Sequence, residues 1–235
     1  MIYFINGRPG SGKSLTTAEY IYKAIKKGKN VIANFEINMD YFAKCRHPEK
    51  LGRFLYVPNA EWLTNGYKGI DPKKREFSYI DGLYGFAWNF HRPDHKGCIR
   101  EGQTLLVLDE CADLFNSRTY NTRDRLSWCS FFRQHRKLGY TVYLVAQDDG
   151  DVDKQIRELL QKEIECRCVS SMKFIGRLMG LFCGGKLFIR IYRDYTLKSA
   201  YRKKDAKEGS QFFRGKKYYA FYDSYKLFGG HSAAG

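Results

Sequence analysis

A mainly parallel α/β sheet sandwiched by helices is the architecture the sequence predicts, and three apolar runs carry that expectation. Ile2 to Asn6, Thr104 to Asp109 and Thr141 to Ala146 are short, continuous and dominated by aliphatic and aromatic residues, the pattern of strands covered on both faces. The first leads into a glycine loop and then a segment with helical spacing, so the chain opens as strand, loop, helix. At 235 residues, 43% hydrophobic and 16% aromatic, it can bury one good-sized core and reads as a single domain over 1–235.

The first helix is expected from Ser14 to Lys27, with Leu15, Ala18, Ile21, Tyr22 and Ile25 on one face. Its basic last turn suits the helix dipole, and Gly28 ends it. Asn30 to Asn34 reads as a second strand. Asn59 to Leu63 has the look of a short helix start, whereas the stretch from about 60 to 102 mixes Gly, Pro, aromatics and charge without a period and reads as an irregular insertion. After the Thr104 strand, residues 123–137 and Val152 to Leu160 read as helices. Glu163 to Phe174 and Leu187 to Tyr195 alternate loosely and suggest a C-terminal β-hairpin.

Charge is uneven. The formal net charge is +16, and from residue 170 onward fourteen Lys/Arg face four acids, a surplus of +10. Such a basic C-terminal segment suits nucleic acid or an anionic membrane surface, or is a solvated face. No export signal or membrane-spanning run is legible, so a cytoplasmic protein, peripheral to a membrane at most, is expected. Seven cysteines without close disulfide-type spacing fit reduced thiols. Cys45, His47, His91, His95 and Cys98 could in principle hold zinc, but their spacing matches no standard finger, and no metal is assigned to them.

Gly7-Arg8-Pro9-Gly10-Ser11-Gly12-Lys13-Ser14 matches G-x-x-x-x-G-K-[ST] in full, and it lies between strand and helix as phosphate binding requires. Glycines let backbone N–H groups turn around phosphate oxygens, and the helix N-terminus adds its positive end. This predicts a P-loop nucleoside triphosphatase fold. Gly7, Arg8, Pro9, Gly10, Ser11, Gly12, Lys13, Ser14 and Leu15 form the nucleotide-binding set. Lys13 reaches the β- and γ-phosphates and the Ser14 hydroxyl takes Mg²⁺.

A second strand ending in an acid is required beside the metal. Leu105-Leu-Val-Leu-Asp109 supplies it, with Asp109 toward Mg²⁺ and Glu110 placed to deprotonate a water. The pair favours hydrolysis over transfer to a small-molecule acceptor. Gln147 follows the Thr141 strand; if that strand lies between the other two, its amide sits where it can sense a γ-phosphate or water. Arg133 and Arg136 are candidates to reach a neighbouring copy's site, in competition with Arg118, Arg123 and Arg125. No Asn-Lys-x-Asp guanine-reading motif is present, which favours ATP.

With these pieces placed, the chain resembles the zonular occludens toxin (Zot)-like family, which is similar to the filamentous-phage assembly protein within the HerA/FtsK group of P-loop motors. The resemblance lies in Gly7 to Ser14, Leu105 to Glu110, Phe132-Arg-Gln-His-Arg136, Tyr143-Leu-Val-Ala-Gln147, Asp153-Lys-Gln-Ile-Arg157 and the late Tyr222-Asp-Ser-Tyr225. It implies a ring-forming ATPase that exports or packages phage DNA at the bacterial inner membrane, with Lys13, Ser14, Asp109, Glu110 and Gln147 at its nucleotide site. It also implies DNA, single-stranded or phage, as cargo and a membrane-bound assembly partner. Members commonly carry a transmembrane helix after this region; none is legible here, so anchoring through a partner or the basic segment is expected. A nucleotide-dependent scaffold or switch with little hydrolysis is the alternative.

Overall fold

Apolar alternation along Ile2–Asn6 (β1) and Tyr140–Val145 (β5) sends successive side chains to opposite faces, and both faces are covered. The computed structural model describes residues 1–59, 82–116, 124–169, 187–200 and 204–222. The other strands are Asn30–Ala33 (β2), Phe54–Tyr56 (β3), Thr104–Leu108 (β4), Lys162–Cys168 (β6), Phe188–Asp194 (β7) and Lys207–Phe213 (β8). They form one eight-stranded sheet in the order β3-β2-β4-β5-β1-β6-β7-β8. From β3 to β6 every pairing is parallel; β7 and β8 add antiparallel to the far edge.

The helices are Lys13–Lys26 (α1), Gly82–Phe90 (α2), Asp124–Gln134 (α3), the single turn Lys154–Arg157 (α4) and Tyr195–Ala200 (α5). On one face, Phe4, Leu106, Leu108, Val142 and Leu144 pack with Leu83 and Phe86 of α2 and with Trp128, Phe131 and Phe132 of α3. On the other, Ile5, Val31, Val107 and Val145 meet Ala18, Ile21 and Ile25 of α1 and a late aromatic group, Tyr218, Phe221 and Tyr222. The sheet is thus sandwiched, as expected, and β5 lies between β1 and β4. The antiparallel β6–β7 pair is the expected C-terminal hairpin, with Glu163 opposite Arg193.

Several elements differ from the sequence reading. The helix expected over Val152 to Leu160 is only the turn of α4, because the chain must already enter β6: the Gln161 amide donates to the Ile2 carbonyl at 3.1 Å. Part of the insertion read as irregular is α2, whose Leu83, Phe86 and Ala87 sit at helical spacing while Gly82, Gly85 and aromatic neighbours dilute the pattern. β3 is only three residues long, and β8 is largely solvent-facing, so neither has a strong apolar signature. The expected helix start at Asn59 to Leu63 falls mostly outside the described residues.

Charged side chains tie the antiparallel edge to the rest. Arg190 of β7, 1% exposed, donates from Nε to Thr16 Oγ1 at 3.0 Å and from Nη2 to Glu19 Oε2 at 2.5 Å, and lies 3.6 Å above the Phe213 ring. Each charge is paired, which the low dielectric of the interior demands.

At the opposite, N-terminal edge of the sheet, His135 is 3% exposed and its Nδ1–H donates to the Phe132 carbonyl at 2.5 Å. Burial pushes its imidazole down to about 4 from the ordinary 6.5. The fold holds this ring neutral, so the stability His135 contributes is complete above pH 6.5 and is lost as pH falls toward 4. Urea unfolding across that interval should show a decline of up to about 3 kcal/mol, flattened in His135→Gln.

Candidate nucleotide-binding site

The loop between β1 and α1 can close tightly only because of its glycines. Gly7 has φ 142°, and a side chain there would stand 2.4 Å from the Cys166 carbonyl oxygen. Gly12, at φ 94°, would meet the Phe188 ring at 2.7 Å. α1 begins at Lys13 without a side-chain cap and without an acid in its first turn. Its leading amides therefore face the loop with no anionic side chain to satisfy them. The Ser11 hydroxyl is buried there with no hydrogen-bond partner. Lys13 is 9% exposed, and its Nζ donates to the Gly7 carbonyl at 2.7 Å, folding back over the cradle. Oriented donors, an ammonium and an unsatisfied hydroxyl form a cradle suited to an oxyanion, so a nucleotide phosphate fits the residues present.

Arg8, Pro9 and Gly10 form the exposed tip of the loop, and Ser14 is half-buried. The Leu15 side chain points into the core beneath α1, so only its backbone can serve the loop.

Asp109 and Glu110 follow β4 at the same edge of the sheet. Asp109 is 6% exposed; Oδ1 accepts from the Glu110 amide at 3.0 Å and Oδ2 from the Tyr222 hydroxyl at 2.9 Å. Burial raises its pKa, while the Tyr222 hydroxyl, the Glu110 amide and then the Lys13 charge pull it back. Glu110, half-buried, is raised by burial and then by the Asp109 charge, against Lys13. Both acids therefore lie in the field of the loop's ammonium. Glu110 has φ 44°, the one positive φ outside glycine among the described residues. Such a conformation costs about 1–3 kcal/mol and persists only where the surroundings fix it.

Two residues that sequence reasoning did not single out supply that fixation. Asn34, fully buried at the end of β2, donates to the Asp109 carbonyl and accepts from the Asp109 amide, both at 2.7 Å. Tyr222 holds the carboxylate itself. Asn34 carried one weak signal, an amide side chain ending an apolar strand. Tyr222 lay in a noted motif, but nothing in the sequence joined it to Asp109.

Gln147, exposed after β5, accepts from the Gly7 amide through its carbonyl at 3.3 Å. The loop behind it is anchored: Asp149 Oδ2 accepts from Lys198 Nζ at 2.8 Å and the Tyr195 hydroxyl at 3.1 Å. Lys198 also donates to Glu163, which accepts from Asn6 Nδ2 at 2.8 Å. Asn6 immediately precedes the loop, so one charged network steadies both sides of it.

Arg136 is not brought to this site. It is exposed at the N-terminal edge of the sheet, bonded to Glu101 at 3.0 and 3.1 Å. Arg118 and Arg123 lie outside the described residues. His91 is buried, donating from Nδ1 to the Leu138 carbonyl and accepting at Nε2 from Thr104, both at 2.6 Å. Both nitrogens are thus used within the core, and no three metal-type ligands gather among the described residues.

Asn34→Ala would strand two buried backbone groups of Asp109 and is expected to lower unfolding stability by about 1–3 kcal/mol, measured by urea denaturation.

The family model described as zonular occludens toxin (Zot) matches residues 1–66 and 84–178. The gene 1 protein of Enterobacteria phage M13 is 27% identical over 241 residues, covering 100% of this chain and 62% of the phage protein. That of Salmonella phage IKe is 25% identical over 236 residues, covering 97% of the chain and 57% of its own length. The chain thus spans less than two thirds of these relatives. The N-terminal domain of zonular occludens toxin from Neisseria meningitidis superposes with TM-score 0.55 at 14% identity, over 94% of this chain and 98% of that one. The match to the family model over more than half of its length shows that the chain belongs to the zonular occludens toxin (Zot) family.

Proposed function

We propose that the chain binds ATP with Mg²⁺ and hydrolyses it, as the motor of a ring of identical copies that drives phage or plasmid DNA export and virion assembly at the bacterial inner membrane. The observation that carries the ATPase reading is the shared sheet edge of Lys13 and the Asp109–Glu110 pair.

The loop amides and Lys13 would hold the β- and γ-phosphates, with Lys13 exchanging its bond to the Gly7 carbonyl for phosphate oxygen. Ser14 and Asp109 supply hard oxygen donors suited to Mg²⁺. When bound, that ion neutralises charge on the phosphates. Glu110 accepts a proton from the attacking water, and the lift in its pKa makes it a better base. Gln147 stands beside Gly7 and orients that water or reads the γ-phosphate.

DNA as cargo is supported by the net charge of +16 and by the phage origin of the gene 1 relatives. The described residues contain no helix long and apolar enough to cross a membrane. Contact with a membrane partner is assigned to the basic segment beyond residue 170, where fourteen Lys/Arg face four acids. The ring itself rests on the family likeness. In it, Arg136 could serve only another copy's site, because its own lies at the opposite sheet edge.

Lys13→Ala should weaken ATP binding at least about tenfold and abolish phosphate release, since it removes the ammonium from the loop. Glu110→Gln should bind ATP as the parent does while turnover falls about 10²-fold or more, measured by phosphate release against binding of a fluorescent analogue. Parent protein that binds ATP without any turnover would refute hydrolysis and leave a nucleotide-dependent switch.

A further inference from the structure

The late aromatic segment reaches into the nucleotide site. Residues 215–222 fold across α1 and the end of β2. The Tyr218 amide donates to the Gly215 carbonyl at 2.8 Å, and the Asn38 amide to the Phe221 carbonyl at 3.0 Å. The Tyr41 hydroxyl donates to the Lys217 carbonyl at 2.5 Å. Tyr218 and Phe221 are fully buried, Phe221 packing 5.6 Å from Phe42 and 5.9 Å from Tyr22. This strap delivers Tyr222, whose ring lies 4.6 Å from Phe35 and whose hydroxyl ends on Asp109. Phe35 is the neighbour of Asn34, which grips the Asp109 backbone. One short stretch of chain therefore fixes Asp109 twice, its backbone directly and its carboxylate through Tyr222.

We propose that Tyr222 is a positioning residue for magnesium–nucleotide binding, so that seating of the 215–222 strap and loading of the site are one coupled equilibrium. The proposal rests on the nucleotide reading given above. A hydroxyl that donates does not compete with a cation for the carboxylate. It uses one lone pair of Oδ2, as the Glu110 amide uses one of Oδ1, and each oxygen keeps another. Without it, the adjacent amide is the one hydrogen-bond donor left to the Asp109 carboxylate among the described residues, and its orientation is less fixed. Binding that favours one carboxylate orientation favours the seated strap, and linkage makes the effect mutual. The state of the site is thereby passed to the C-terminal segment, on the far side of the sheet from α2 and α3.

The test is calorimetric binding of ADP to the parent chain and Tyr222→Phe, each with Mg²⁺ and with EDTA. The phenyl ring keeps its packing on Phe35, and a single cooperative melting transition well above the assay temperature confirms the fold. With Mg²⁺ the variant should bind about tenfold more weakly, the loss of one charge-assisted hydrogen bond, while in EDTA the two should agree within about twofold. In an Asp109→Ala background the same change should have no further effect. Amide exchange at 217–222 in the parent should slow when Mg²⁺ and ADP are added, a readout that needs no variant. Equal weakening with and without the metal, no weakening at all, or exchange indifferent to Mg²⁺ and ADP overturns the proposal. Absence of ADP binding by the parent in both conditions instead overturns the nucleotide reading, and the proposal falls with it.

Discussion

Parallel pairing of β1, β5 and β4 is the constraint on which the rest depends. Because the three strands run the same way, with Ile2 beside Val142 and Leu106 beside Val142 in register, all three end at one edge of the sheet. The glycine loop, Gln147 and the Asp109–Glu110 pair follow those ends directly. Residues about a hundred positions apart in sequence meet because backbone hydrogen bonding leaves them no other place to go. An antiparallel β4 would have delivered its acids to the opposite edge, where Arg136 and Glu101 lie.

Gathering so many ionisable groups at one edge has an energetic cost. Burial lifts Asp109 and Glu110, and the two repel each other. The protein offsets this locally, with Lys13 and donated hydrogen bonds at Asp109, and beyond the loop with Lys198 and Arg193 on Asp149, Glu163 and Glu165. These pairs sit in a medium that strengthens Coulomb attraction yet penalises any unmatched partner. The arrangement is therefore rigid for an electrostatic reason: displacing one member leaves another buried and uncompensated. Rigidity of that kind suits a site that must present donors in fixed positions before its ligand arrives.

Two kinds of surface cover the sheet. One face carries helices whose aromatic residues interleave with β-strand side chains, as in Trp128, Phe131 and Phe132. The other carries α1 together with the strap, part of which, Lys216–Tyr218, is a 3-10 turn, and this face contacts Asp109 through Tyr222. The strap is held by aromatic contacts among Tyr22, Phe42, Phe221 and Tyr218. Aromatic packing of this sort adds about 0.5–1.5 kcal/mol per pair beyond burial, enough to keep a short segment with a single 3-10 turn in place.

Local signals made much of this protein legible in advance. The glycine loop between strand and helix announced itself, since Gly7 and Gly12 are required by backbone geometry and by contacts within a few ångströms. The uninterrupted apolar run into Asp109 did so too, because a strand buried on both faces tolerates no polar residue until it ends. Other features were illegible because they have no local cause. β8 is an exposed edge strand whose conformation comes from pairing with β7. α4 stops after one turn because β6 must meet β1. Asn34 and Tyr222 look ordinary until the fold sets them 2.7 and 2.9 Å from Asp109. By itself the sequence determined the buried strands β1, β2, β4 and β5, the loop and the chemistry of their ends, which depend on near neighbours. The tertiary structure alone decided which distant groups hold those ends in place, because hydrogen bonds across 75 and 113 residues follow from packing and not from any pattern along the chain.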